Sequence, residues 1–199
     1  MGVQTSEVSI CNQALGWLGA DSITSLSDNS TTAELCKNNY PVLRDAVMTE
    51  MAWTFATARY KSVTADRDDW GIKYKHPVPT NWLQVLRVYR KVTNNSKLDS
   101  VGWVREGNFI LTTEDTVYLW GIDQVVSTSL FSPAFGQCLA ARIAADLCIP
   151  ITQNVTQQGT LWQLYGAKLD KAAMADGLQG SNETIQSEEL IDARYGSGI

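Results

Sequence analysis

The chain has 199 residues, 44% of them hydrophobic and 19% charged, with a net charge of −5 and a pI near 4.9. That length gives one domain a core large enough to need neither disulfides nor a metal, and the composition excludes a disordered chain. The acidic balance argues against a protein whose task is gripping phosphates, because non-specific nucleic-acid affinity comes from Lys and Arg displacing counterions; DNA as a neighbour stays open.

The N-terminus, MGVQTSEVSICNQALGWLG, has no basic region ahead of its apolar stretch and is interrupted by Glu7, so no signal peptide is expected. No run is read as reaching the ~20 apolar residues of a membrane span. Met1-Gly2 with Ser6 matches a myristoylation pattern only loosely. The sequons at Asn29, Asn94, Asn154 and Asn182 carry no meaning without secretion, so synthesis in the cytosol is expected.

The spacing of Val8, Cys11, Leu15 and Leu18 predicts a first helix over 6–18, with Ile10, Ala14 and Trp17 as a second apolar side and Gly19 as its stop. TTAE opens a second helix, with Thr31 as expected N-cap and Glu34 reaching back. Its stripe is Cys36, Tyr40, Leu43, Val47 and Met51, and Pro41 inside it predicts a kink. Trp53 and Phe55 follow where this helix stops, with Arg59 close behind.

The period then shortens to two. LQVLRVYRKV alternates as a strand, VGWVREGNFILTT reads as two strands about a tight Glu106-Gly107 turn, and TVYLWGI is another. A third helix starts at Ser132 and Pro133, carries Phe135, Leu139, Ile143 and Leu147, and is expected to end at Pro150. A fourth, from about residue 154 or 156 to 176, is expected to bury Leu161, Trp162, Tyr165, Leu169 and Ala172.

The expected fold class is mainly α: a four-helix bundle from 1–62 and 130–178, a small antiparallel β-rich insertion over 63–129, and an extended C-terminal arm over 179–199. That arm, QGSNETIQSEELIDARYGSGI, reads either as an unfolded tail or as a segment that folds onto a partner through Ile185, Leu190, Ile191 and Tyr195.

Groups that could carry chemistry do not converge in the sequence. His76, the single histidine, reads as a solvated loop residue among lysines and prolines. Cys11, Cys36, Cys138 and Cys148 form no C-x-x-C pair and read as small buried hydrophobes, so no metal and no cofactor is expected. Asp66, Asp68 and Asp69 beside Trp70 could form the carboxylate pair of a glycosidase, but such clusters are usually solvated loops. Glu114-Asp115 occupies a turn between strands, and no catalytic residue is assigned. The seven tryptophans suit either a core or anchors at permanent interfaces.

Taken together, CNQALGWLGA with Cys11 and Leu15, ITSLSDNSTTAELC, Tyr40, the pair Arg44-Asp45, and Trp53, Phe55, Ala56 and Arg59 resemble the tail tubular protein A family of short-tailed bacteriophages. PTNWLQVLRVY, YLWGIDQV, FSPAFGQCLAARIAADLCIPIT and LWQLYGAKLDKAAMADG continue the resemblance over nearly the whole chain. Pro41, residues 92–100 and the C-terminal arm depart from it. The resemblance implies a structural virion protein of the neck: a head-to-tail adaptor, or connector, forming a dodecameric ring. Its partners would be copies of itself, the portal, a tail nozzle similar to tail tubular protein B, and double-stranded DNA passing through without specific binding. No membrane, cofactor or catalysis is implied. Trp53 and Phe55 would complete the helical core, and Arg59 would lie near that junction or a subunit boundary. Two alternatives stay open: a virion-associated polysaccharide hydrolase, and a head-completion protein of a long-tailed phage.

Overall fold

The computed structural model describes residues 6–71, 73–91 and 98–177. In chain order the elements are α1 (Glu7–Leu18), α2 (Thr31–Glu50), β1 (Thr57–Val63), β2 (Tyr74–Pro77), β3 (Trp82–Lys91), β4 (Leu98–Ser100), β5 (Val104–Glu106), β6 (Phe109–Thr112), β7 (Thr116–Asp123), a single 3₁₀ turn (Thr128–Leu130), α3 (Pro133–Thr152) and α4 (Val155–Gly177).

The helix ends follow local chemistry. Ser6 caps α1 in a reciprocal box with Ser9, and Gly19 closes it at φ 70°. The α2 cap is Ser30, one residue before the expected Thr31: its hydroxyl accepts from the Ala33 N–H at 3.2 Å. α2 is assigned as one continuous helix through Pro41. Ser132 and Pro133 start α3 as expected, but the helix outlasts Pro150 and ends at Gln153 (φ 55°).

α3 is the hub of the helical layer, since α1, α2 and α4 all lie against it. Ala140, Ala141, Ala144 and Ala145 are fully buried and let three neighbours approach closely. α3 is long and apolar enough to cross a membrane, contrary to the expectation that no segment is, but 61% of its apolar window is buried inside the protein. Along α4, Leu161, Tyr165 and Ala172 are buried as expected, whereas Trp162 is 38% exposed.

The expected mainly-α bundle with a small β portion is not what forms. Among the described residues 47% are helical and 24% are in strands, in two separate antiparallel sheets, and the fold is α+β. The first sheet has the order β1-β7-β3-β4 and the second β2-β6-β5. They share a second core of Val78, Trp82, Val85, Val88, Ile110, Val117 and Leu119, distinct from the helical one. A β region with its own core is half of the architecture and not an appendage. Three strands escaped the sequence reading: β1, which begins at Thr57, the four-residue β2, and the three-residue β4. The tight turn between β5 and β6 falls on Gly107 and Asn108, with Gly107 at φ 57°.

β7 ties the two layers together. Ile122 belongs to the helical core, and Leu83, Leu86 and Val125 pack against it. The Asp123 N–H donates to the Ala56 carbonyl at 2.8 Å. The expected C-terminal arm, with Ile185, Leu190, Ile191 and Tyr195, lies outside the described residues.

Candidate functional surfaces

Most of the residues that carry the family resemblance meet in one place. Cys11 and Leu15 on α1 and Tyr40 on α2 are essentially fully buried in the helical core. Trp53 is likewise fully buried just past the end of α2, and its indole N–H donates to the Val47 carbonyl at 2.9 Å. Its ring meets Phe135 edge-on at 5.0 Å, and Phe55 and Phe131 complete the cluster, each about 5 Å or a little more from a neighbouring ring. Phe55 is half-buried. The two aromatics at the end of α2 therefore seal the junction with the start of α3.

Arg44 and Asp45 form a polar clasp at the joint between layers. Arg44 is only 5% exposed, and its guanidinium holds Asp45 Oδ1 at 2.7 and 2.8 Å. The other oxygen, Oδ2, accepts from Gln124 Nε2 at 2.6 Å, just beyond β7. A buried guanidinium satisfied by one carboxylate depends heavily on it. Arg59 stands apart from these residues, exposed on β1.

Two further polar links were missed from sequence because their partners are remote. Asp176 near the end of α4 is buried and accepts from the Thr54 N–H at 2.8 Å and the Thr54 hydroxyl at 2.6 Å. Arg142 on α3 joins three helices, reaching Asp146 and, on α2, Glu50, and lying 4.7 Å from the ring centre of Trp162 on α4. Burial is the largest single influence and works against its charge, but the hydrogen bond and charge of Asp146, together with Tyr165, more than offset it and raise its pKa. Burial also pushes the Tyr165 hydroxyl up to about 12 and the Cys138 thiol up to about 11. All four cysteines are buried and unpaired.

His76 is not a solvated loop residue. It lies on β2, fully buried between the sheets. Nε2 is 2.8 Å from the Glu114 carbonyl and must donate to it, leaving Nδ1 to accept from the Ser62 hydroxyl at 3.0 Å in the neutral ring. Both nitrogens are occupied by structural partners. Asp66 and Asp69 are exposed beside Trp70, which is 84% exposed, and Asp68 is spent on the turn, accepting from the Lys73 N–H at 3.2 Å. Among the described residues no three His, Cys, Asp or Glu side chains are placed to hold a metal.

The four-stranded sheet presents two contrasting faces. One carries Val85, Val88, Val117 and Leu119 into the β core. On the opposite face Trp120 stands between Arg59 of β1 and Arg87 of β3 in register, and Tyr118 between Lys61 and Tyr89. The four residues Arg59, Lys61, Arg87 and Lys91 are exposed, and the three rings are partly exposed. Arg87 lies 5.6 Å from the Trp120 ring centre and Lys61 lies 5.8 Å from that of Tyr118. Apart from Arg59, this set was not singled out from sequence, although R-V-Y-R-K and T-V-Y-L-W print the alternation openly.

No family model matches the chain, and no curated protein is found to be similar to it.

Proposed function

We propose that the chain is a structural virion protein of the tail tubular protein A kind: a ring-forming adaptor between the portal and a tail nozzle, around passing double-stranded DNA. The observation that carries this reading is the convergence of its motif. Cys11, Leu15, Tyr40, Trp53 and Phe55, separated by up to 44 positions, form one packing unit, and Arg44-Asp45 fastens that unit to the sheets. The motif thus specifies a joint between two layers and not a reaction centre. A ring also requires two different complementary patches on each subunit. Large apolar residues left in solvent on separate elements suit that requirement: Val42 on α2, Trp70 in the loop before β2, and Val155 and Met174 at the two ends of α4.

In this reading the protein is made in the cytoplasm of an infected bacterium and resides in the neck of the virion. It has no cofactor and no turnover. The polysaccharide-hydrolase alternative draws no support from Asp66 and Asp69, which are exposed, or from the half-buried Asp68, whose carboxylate accepts from the Lys73 N–H. Negative-stain electron microscopy of the full chain mixed with the portal protein of the same genome tests the adaptor role. A dodecameric ring stacked on the portal is expected. Absence of any added ring with the portal present would sink the reading.

A further inference from the structure

The exposed face of the four-stranded sheet has a composition at odds with the rest of the molecule. The chain is acidic overall, yet none of the strand residues on this face is Asp or Glu. Alternation places Arg59, Lys61 and Val63 of β1 here, with Thr116, Tyr118 and Trp120 of β7, while Thr57 and Ile122 at the end of the same side run under the helical layer, where Ile122 is fully buried. Arg87, Tyr89 and Lys91 of β3 join them, while Asp99 of β4 faces the other way, opposite Arg90. Arg59, Lys61, Arg87 and Lys91 form no ion pair among the described residues, whereas Arg90 on the opposite face pairs with Glu114. Four cations collected on one face repel each other, and folding tolerates this only because the face stays wet.

Strand geometry spaces these groups regularly. Arg59 and Arg87 flank Trp120 at about 10 Å across two inter-strand gaps, and Arg59 and Lys61 are about 7 Å apart along β1. The rings stand on the two central strands, β7 and β3, between the cations. A surface that only had to attract phosphates would need the cations and not the rings. An acidic peptide would likewise leave the rings without a role. Unpaired bases use both, stacking on exposed aromatics of a sheet while the backbone follows the positive groups.

We propose that this face binds single-stranded nucleic acid, with bases stacking on Trp120, Tyr118 and Tyr89 and the backbone held by Arg59, Lys61, Arg87 and Lys91. The site is independent of the adaptor role and would stand or fall without it.

The test is fluorescence anisotropy of a labelled oligothymidylate of about 15 nucleotides titrated with the full chain at low salt. Saturable binding is expected, weakening with salt at a log–log slope of about −3 for four neutralised phosphates. Arg59→Gln with Arg87→Gln, at two exposed positions, should roughly halve that slope without altering the circular dichroism. Trp120→Leu should weaken binding by about 5- to 100-fold, and Trp120→Phe should restore most of it. No binding at low salt overturns the proposal. So does equal competition by a duplex together with an unaffected Trp120→Leu, which would make the face a plain phosphate contact. Equal displacement by polyglutamate, with the two aromatic variants unchanged, would instead assign the face to an acidic protein.

Discussion

The helical layer and the paired sheets solve the burial problem differently. α3 packs against three other helices, so most of its residues are buried and its sequence is apolar over most of its circumference. The central strands β3 and β7 bury one face against the second sheet and leave most of the other in water. The same chain therefore spends its helices on stability and keeps a free face on its sheet. The joint between the two is narrow: Ile122 and its neighbours, one backbone hydrogen bond to Ala56, and the Arg44–Asp45–Gln124 clasp.

Breaking the helical side should have the largest effect. Trp53→Ala removes a fully buried ring, its partners Phe55 and Phe135, and the bond to Val47. A loss of about 3–5 kcal/mol is expected, read as a lower urea midpoint for the whole protein. At the joint, Asp45→Ala strands the Arg44 guanidinium at 5% exposure and frees Gln124. Because Asp45 itself is a quarter exposed, the expected cost is about 2–3 kcal/mol, below that of a fully buried pair. Asp45→Asn should recover part of it in the same denaturation assay. If Asp45→Ala were neutral, the clasp would not hold the layers together.

On the sheet side, Gly121→Ala sharpens the contrast. A Cβ there would run into the Gln84 carbonyl and the Trp82 ring, at the point where β3 bulges against β7. About 1–3 kcal/mol of destabilisation is expected, with faster amide exchange concentrated in β3 and β7 and little change in α3. Uniformly faster exchange would show that the two layers open as one unit.

The smallest effect belongs to the loop between α1 and α2. Hydrogen bonds from the Ser25 and Thr24 N–H groups hold the Asp28 carboxyl below its ordinary value. A depressed folded pKa adds stability above the unfolded pKa and loses it as pH falls through the folded one, so the contribution fades below about pH 4. The urea midpoint of Asp28→Asn should lie slightly below that of the parent at neutral pH, and the gap should narrow as pH falls below about 4. A gap that persists unchanged at pH 3 would show that the carboxylate charge is not the cause.

Much of this architecture was legible in advance. Ser132-Pro133, the Gly19 stop and the three- and four-residue apolar spacing announced all four helices, and alternation, interrupted by bulges in β3, announced β3 and β7. β1 was not legible, because Arg59, Tyr60 and Lys61 are all exposed and its partner β7 lies about sixty positions away. β2 was hidden by its four-residue length and by Pro77. His76 looked solvated because lysines and proline surround it in sequence, yet alternation on β2 turns Lys75 outward over Phe109 and His76 inward to Ser62. Missing those short strands is what made a mainly-α bundle look right. The candidate site was half legible: the core motif could be named residue by residue, but the basic aromatic face, apart from Arg59, could not, since it is assembled across three strands.

The sequence by itself determined what depends on neighbours a few residues apart: where each helix lies to within a residue or two at its ends, and which side of it is apolar. Only the tertiary structure decided what depends on remote partners. It paired Asp176 with Thr54, buried His76, tied Asp45 to Gln124 just beyond β7, and set Trp120 between Arg59 and Arg87. Helical periodicity is a local property of the chain, whereas strand pairing and buried polar contacts join residues whose sequence separation carries no signal of their meeting.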